Sequence, residues 1–418
     1  MTIPPDDPAR RAAEALGRLS EDERRRRKRR RAGRLLLTAL LVVLAALALV
    51  PIWPWLVPAF VYEGPLVQNT RDRRAVLVWY MSRAVGDGIV VHLGDDRLIP
   101  VECVGSRCRA VLTDLPPGAD IPYRIVYDQR TLVADTLRTM RRSDQPYTFV
   151  VFGDSGKATQ AQFRLADQIV ASDPDFVLHT GDLIYGRGER YLYRSRFFVP
   201  YAPLLRRVNF WPCIGNHDVF IPVEQAPYFR VFELPRNGPE GLPPEHDYWF
   251  DYANARVVVI DSERDERTLR EIVAPWVERV FAAGASRWKF VVFHRPPYTA
   301  GQHPPRVQIQ RALAPAFERA GVDIVFNGHD HMYERTVPIR DGRIAPDGRG
   351  VVYVVSGAGG ARLYTAFPPD QRPDYIAMLN NDVHSFTRVR VAGDTLILDQ
   401  IALGGDEIDH WVLHKPAP

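Results

Sequence analysis

Five short apolar runs after residue 146 each end on residues able to hold a metal ion. Tyr147–Phe152 leads into Gly153-Asp154-Ser155-Gly156, and Phe176–Thr180 leads into Gly181-Asp182-Leu183-Ile184-Tyr185. Phe210–Ile214 leads into Gly215-Asn216-His217-Asp218. Lys289–Phe293 ends on His294, and Val322–Phe326 leads into Asn327-Gly328-His329-Asp330-His331. Carboxylate, phenol, amide and imidazole are the donor types that trivalent and divalent ions take. In open α/β sheets, sites form beyond the carboxyl ends of strands. Five such ends can gather two Asp, one Tyr, one Asn and three His in one crevice. The glycines beside Asp154, Asp182, Asn216 and His329 permit sharp turns there. A lone Gly-Asp is usually a turn and a lone His usually a packed or surface residue. The ordered set of five is what points to a metal site.

These residues resemble the purple acid phosphatases, within the wider calcineurin-like metallophosphoesterases. The family pattern is GD, GDxxY, GNH followed by D or E, VxxH, and GHxH, in that order. Here it stands as Gly153-Asp154, Gly181-Asp182-x-x-Tyr185, Gly215-Asn216-His217-Asp218, Val291-x-x-His294 and Gly328-His329-x-His331. A looser likeness extends to Ser356-Gly357-Ala358-Gly359-Gly360. The resemblance implies a dinuclear centre. Fe(III) would be held by Asp154, Asp182, Tyr185 and His331. A divalent ion (Zn, Mn or Fe) would be held by Asp182, Asn216, His294 and His329, with Asp182 bridging. Most calcineurin-like relatives carry D-x-H at the first motif; here the third position is Gly156, and Tyr185 appears instead.

The activity so implied is hydrolysis of a phosphate monoester by a metal-bound hydroxide, of acid phosphatase type. A phosphodiesterase acting on nucleotides or phospholipid head groups is the alternative that the same ligands support. A non-catalytic, membrane-tethered binding protein is the reading from another class. His217 and His303 match the family's non-ligand histidines, which makes them candidates for leaving-group protonation and phosphate binding. Asp218 is read as a partner that orients His217, or else as an exposed carboxylate. His179 reads as a core or supporting residue, and Asp330 as pointing away from the ions. Tyr333-Glu334-Arg335 read as packing and salt-bridge residues, and His384 and His410 as structural. His246 and Tyr248 are weaker candidates for the cleft wall.

Around these motifs, strand-like runs alternate with helical stretches such as Thr159–Ala171 and Arg267–Ala283, the pattern of an α/β sandwich domain. The expected fold is therefore α/β, a metallophosphoesterase β-sandwich flanked by helices, over residues 146–418. Short β-rich runs over 62–141 predict a small leading β-sandwich, which looks like the fibronectin-III-like domain that precedes such enzymes.

The 418 residues carry a formal net charge of +4. Residues 1–34 hold twelve basic and six acidic residues, a surplus of six, so the rest of the chain sums to −2. The body therefore gives no charge argument for nucleic acid as a partner. The basic tail, 1–34, precedes an apolar run expected to form a transmembrane helix over 35–58, with Trp53 and Trp55 at an interface. No convincing cleavage site succeeds it, so an uncleaved anchor is expected, with the basic side cytoplasmic and the catalytic domain periplasmic or at the cell surface. Cys103 and Cys108 flank a turn-like stretch and can pair in an oxidising compartment. Cys213 reads as a buried thiol. The oligomeric state is not legible.

Overall fold

The computed structural model of the chain describes residues 8–49, 58–95, 97–220 and 226–416. The chain divides into two compact units, at Ala59 and Phe60. In the first unit, helix α1 spans Pro8–Leu49. Its Ala, Leu and Arg content is rich in strong helix formers. The expected transmembrane helix is not found: among the described residues, no helix is long and apolar enough to cross a membrane. Apolar side chains are described from Leu35 to Leu44. That is about 15 Å of helix, half of the ~30 Å hydrocarbon core. Residues 50–57, with Trp53 and Trp55, lie outside the described residues.

The second unit opens with seven antiparallel strands: β1 (Val61–Arg71), β2 (Arg74–Met81), β3 (Ile89–Leu93), β4 (Arg97–Val104), β5 (Arg107–Leu112), β6 (Asp120–Tyr127) and β7 (Arg130–Arg138). Their order is β1-β2-β5-β4-β3-β6-β7. Strand β4 changes partner midway: its first half pairs with β3, and Val101–Val104 pair with β5. A strand that switches partners this way makes a corner between two sheets. Cys103 and Cys108 lie opposite each other across the β4–β5 hairpin and form a disulfide. Hydrogen bonds tie these strands to the segment between residues 206 and 209. Asn209 Oδ1 accepts from Thr70 N at 2.8 Å, and Tyr123 O–H donates to Arg206 O at 3.0 Å.

Two further sheets complete the unit. The first has order β10-β9-β8-β20-β21-β22, from β8 (Tyr147–Phe152), β9 (Phe176–His179), β10 (Asn209–Pro212), β20 (Ser385–Ala392), β21 (Thr395–Ala402) and β22 (Glu407–His414). The second has order β11-β12-β13-β14-β18-β15-β19. It contains β11 (Tyr248–Tyr252), β12 (Ala255–Val259), β13 (Trp288–Val292), β14 (Ile324–Asn327), β15 (Tyr333–Thr336), β18 (Val352–Ser356) and β19 (Ile376–Asn380). A small hairpin, β16 (Ile339–Arg340) and β17 (Arg343–Ile344), stands apart.

The sheets face each other across one core. Phe149 and Phe176 of the first stack at 4.8 Å, and Phe290 of the second lies 5.4 Å from Phe149. Side-chain alternation then decides what covers the outside. Phe290 and Val292 point into this core, while Val291 and Phe293 join a second cluster with Trp276, Leu313 and Phe317. Those last residues belong to helices α3 (Ala274–Ala282) and α4 (Val307–Ala320). Strands buried on both faces read as continuous apolar runs, which is why the motif-bearing strands were visible in the sequence. Helix α2 (Gln160–Ala171) begins on Thr159, whose side chain accepts from Gln162 N. Strands β8, β9 and β10 are mutually parallel, as are β12, β13, β14 and β18. The five motif loops therefore leave the carboxyl ends of parallel strands.

Candidate metal centre

The loops after β8, β9 and β14 turn sharply. Asp154, Asp182 and His329 all have left-handed backbones, with φ of 56°, 56° and 70°. Non-glycine residues rarely sit there, and such strain gathers at functional sites. The loops are stitched together by their own ligand candidates. His329 N–H donates to Asp154 Oδ2 at 2.9 Å, and His217 N–H donates to Asp182 Oδ1 at 2.9 Å.

Each of two histidines has one ring nitrogen tied to a backbone carbonyl, which can only accept. His294 Nδ1 donates to Thr180 O at 2.8 Å, and His331 Nδ1 donates to Arg362 O at 2.7 Å. In the neutral ring, Nε2 is then a lone pair. His294 Nε2 lies 3.5 Å from Asp182 Oδ2, 3.2 Å from Asn216 Oδ1 and 3.2 Å from His329 Nδ1. His331 Nε2 lies 2.6 Å from the Tyr185 hydroxyl and 3.4 Å from Asp154 Oδ1, and the same hydroxyl is 3.1 Å from that oxygen. All seven expected ligands therefore meet, in two groups: Asp154, Tyr185 and His331, and Asp182, Asn216, His294 and His329. Ligand atoms of Asp154, Asp182 and His294 lie within 4.8 Å of one another.

Acceptors converging in a buried space call for a cation, because buried charge is costly unless compensated. Burial raises the Asp182 carboxyl, and nearby Asp154 adds to the rise. At Asp154 burial pushes the same way, but without a metal the carboxylates favour protonated His331 and His294, and the His331 hydrogen bond and the His294 charge then hold Asp154 below the usual range. Burial and both carboxylates push the Tyr185 phenol well up. Burial, His294 and Arg295 push His329 far down, so it stays neutral. The donor set fits two ions. The phenol and Asp154 suit a hard trivalent ion, and the amide and imidazoles suit a divalent one.

Gly156 shows why no histidine stands in the first motif. A Cβ at that position would lie 1.7 Å from Leu183 O. The backbone leading to Tyr185 fills the space.

His217 and His303 flank the cluster without joining it. His217 Nδ1 donates to Gly186 O at 2.9 Å, leaving Nε2 4.0 Å from Asp182 Oδ2. Its ring rests 4.6 Å from that of Tyr185. His303 takes Asp330 Oδ1 with both N–H and Nδ1 at 3.0 Å, and its ring lies 4.3 Å from His329.

Several supporting residues differ from the sequence expectations. Asp218 neither orients His217 nor lies exposed. It is buried and accepts the amides of Gly215, Leu183 and Ile184 at 3.0, 3.3 and 3.2 Å, clamping two ligand loops together. Burial, then the Asp182 charge, pushes it up to about 8. Asp330 turns away from the cluster, as expected, yet it is the residue that fixes His303, braced by Thr299 Oγ1 at 2.8 Å. His246 is buried and paired with Asp261 at 2.9 Å, and the Tyr248 O–H is spent on Pro212 O, so both belong to the core. His179 is buried against Ser155 Oγ at 3.0 Å, in the supporting role expected of it. Arg335 pairs with Asp409, and Glu334 accepts Ala300 N.

Two residues near the ligands were not anticipated. Tyr364 stacks on His331 at 3.8 Å with planes 12° apart. Arg295, gripped by Glu263, places Nη1 3.0 Å from His329 Nε2. The only sequence signal for Tyr364 is its place after the glycine-rich turn at 357–360. Arg295 offered none beyond adjacency to His294.

Comparison with known proteins bears on the family and the fold. Residues 147–333 match the family model of the calcineurin-like phosphoesterases. An uncharacterized protein of Mycobacterium tuberculosis is 26% identical over 317 residues, covering 66% of this chain and 56% of that protein. Purple acid phosphatase 21 of Arabidopsis thaliana is 30% identical over 240 residues, 54% of each chain. The chain thus spans little more than half the length of these two relatives. A purple acid phosphatase from yellow lupin seeds shares the fold, with a TM-score of 0.73 at 19% identity, covering 85% of this chain and 74% of that one.

Proposed function

We propose that this chain, which carries a calcineurin-like phosphoesterase domain over residues 147–333, is a dinuclear-metal phosphatase acting on phosphate monoesters. The observation that carries the reading is the convergence of seven metal-capable side chains from five strand ends, with two further histidines at the edge. Fe(III) is assigned to Asp154, Asp182, Tyr185 and His331. A divalent ion (Zn, Mn or Fe) is assigned to Asp182, Asn216, His294 and His329. Bound there, the ions supply Lewis-acid charge for phosphate oxygens and lower the pKa of an attacking water. With Nδ1 tied to Gly186 O, the protonated ring of His217 carries its transferable proton on Nε2, towards the cluster, which suits protonation of a departing alkoxide. His303, held by Asp330 through Nδ1, can donate from Nε2 to a phosphate oxygen when its ring is protonated.

The strands β1–β7 support a fibronectin-III-like leading domain in their number and in the partner switch at β4. A catalytic domain outside the cytoplasm is part of the proposal. It is supported by the Cys103–Cys108 disulfide. Thiol labelling of cells without reductant should leave both cysteines unlabelled; labelling of both would place the domain in a reducing compartment.

The activity is tested by giving the full chain, with its metals measured, a chromogenic phosphate monoester and the matching diester. Faster turnover of the monoester is expected. Preference for the diester would move the reading to a phosphodiesterase, and turnover of neither would end it.

A further inference from the structure

A groove of about 1580 Å³ runs between the β1–β2 hairpin, the start of β5 and the segments that succeed β9 and β10. It lies apart from the metal centre, and none of the ligand residues lines it. Eight arginines face three glutamates in its walls, and each glutamate is already engaged. Arg190 grips Glu63, and Arg109 holds Glu233 with Nε and Nη2 at 2.8 and 2.7 Å. Glu245 accepts the amide of Leu234 at 3.3 Å. Arg71 donates to a neutral partner, Asn69 Oδ1, at 2.9 Å. Arg74 and Arg230 have no carboxylate partner among the described residues. Burial and then the Arg74 charge lower Arg71, as expected of two guanidiniums gathered without an anion between them.

Uncompensated like charge in a concave wall raises the local concentration of counter-ions. The guanidinium fork matches phosphate oxygens in pairs. The surplus is spread along both walls, Arg71 and Arg74 on the hairpin and Arg230 on the facing segment. Guanidiniums on both walls suit an anion that carries phosphate groups at more than one point along its length. Tyr62 and Tyr191, 44% and 77% exposed, stand at the rim.

We propose that this groove binds a linear polyanion with repeated phosphate groups. The choice of phosphate over carboxylate rests on the phosphatase reading of the metal centre. The test titrates the full chain with inorganic polyphosphate, with orthophosphate present to saturate the metal centre. Binding should weaken with added salt. Replacing Arg74→Glu together with Arg230→Glu should weaken it by about 10-fold or more. Melting temperature and turnover of a small monoester should not change. The milder pair Arg74→Gln and Arg230→Gln should lose less but still lose affinity. Three results would overturn the proposal: no polyphosphate binding by the wild type, undiminished binding by both variants, or tighter binding of polygalacturonate at equal charge. Small-ester turnover reads the metal centre separately, so failure of the groove and failure of the phosphatase reading are told apart.

Discussion

At the scale of single residues, Tyr185 is the sharpest test of what the cluster holds. Its hydroxyl lies 2.6 Å from His331 Nε2 and 3.1 Å from Asp154 Oδ1, in a buried site that keeps the phenol protonated unless a strong cation is present. A phenolate on Fe(III) donates charge into the ion and gives a visible band. Iron-loaded wild type should be coloured, and Tyr185→Phe, which keeps the ring, should lose the band. An unchanged spectrum would assign Tyr185 to packing. His217 gives the second test. His217→Ala should keep both metals while lowering turnover by roughly 10²–10⁴-fold. Loss of metal with activity would make it a structural residue, and normal turnover would remove it from the mechanism. The ligands were legible because each sits where a strand pattern stops. Asp218, Asp330 and Tyr364 were not, because their partners come from loops up to 35 positions away, as with Leu183 and Asp218. No spacing rule records such contacts.

At the scale of elements, the loops must hold one another as well as the ions. Asp330→Asn keeps the side-chain shape but weakens the grip on His303. It should leave metal content intact and lower turnover less than His217→Ala does; equal turnover in Asp330→Asn and wild type would leave His303 without an orienting partner. Glu334, on β15, braces the same loop through Ala300 N at 3.0 Å. Burial, then the Asp330 charge, raises its carboxyl from 4.5 to about 8. The folded chain therefore binds this proton more tightly than the unfolded one. That contribution to stability is fully present below about pH 4.5 and is lost as pH rises towards 8. Glu334→Gln cannot titrate, so its melting temperature should fall less between pH 5 and about 8 than that of wild type. Parallel pH curves would show that Glu334 does not carry the effect. The strand content of both halves could be read from alternation and apolar runs. The partner switch within β4 could not, because register within a sheet depends on neighbours distant in sequence.

At the scale of the whole molecule, two sheets, their covering helices and a leading set of strands serve to bring five strand ends to one rim. The resemblance carried by the motifs anticipated that arrangement. The expected transmembrane helix was not found among the described residues. The apolar run was read whole in the sequence, whereas only part of it has described side chains. On the reading proposed above, the rim holds two metal ions on which catalysis depends. The most direct measurement is iron and divalent metal per full chain, in the wild type and in Asp182→Asn, alongside hydrolysis of a chromogenic monoester. Asp182, of the second group, has a ligand atom within 4.8 Å of one on Asp154 and is assigned to both ions. The wild type should carry two ions, one of them iron, and the variant should lose metal and activity together. A metal-free wild type that hydrolyses the ester at full rate, or a variant with unchanged metal and turnover, would contradict it.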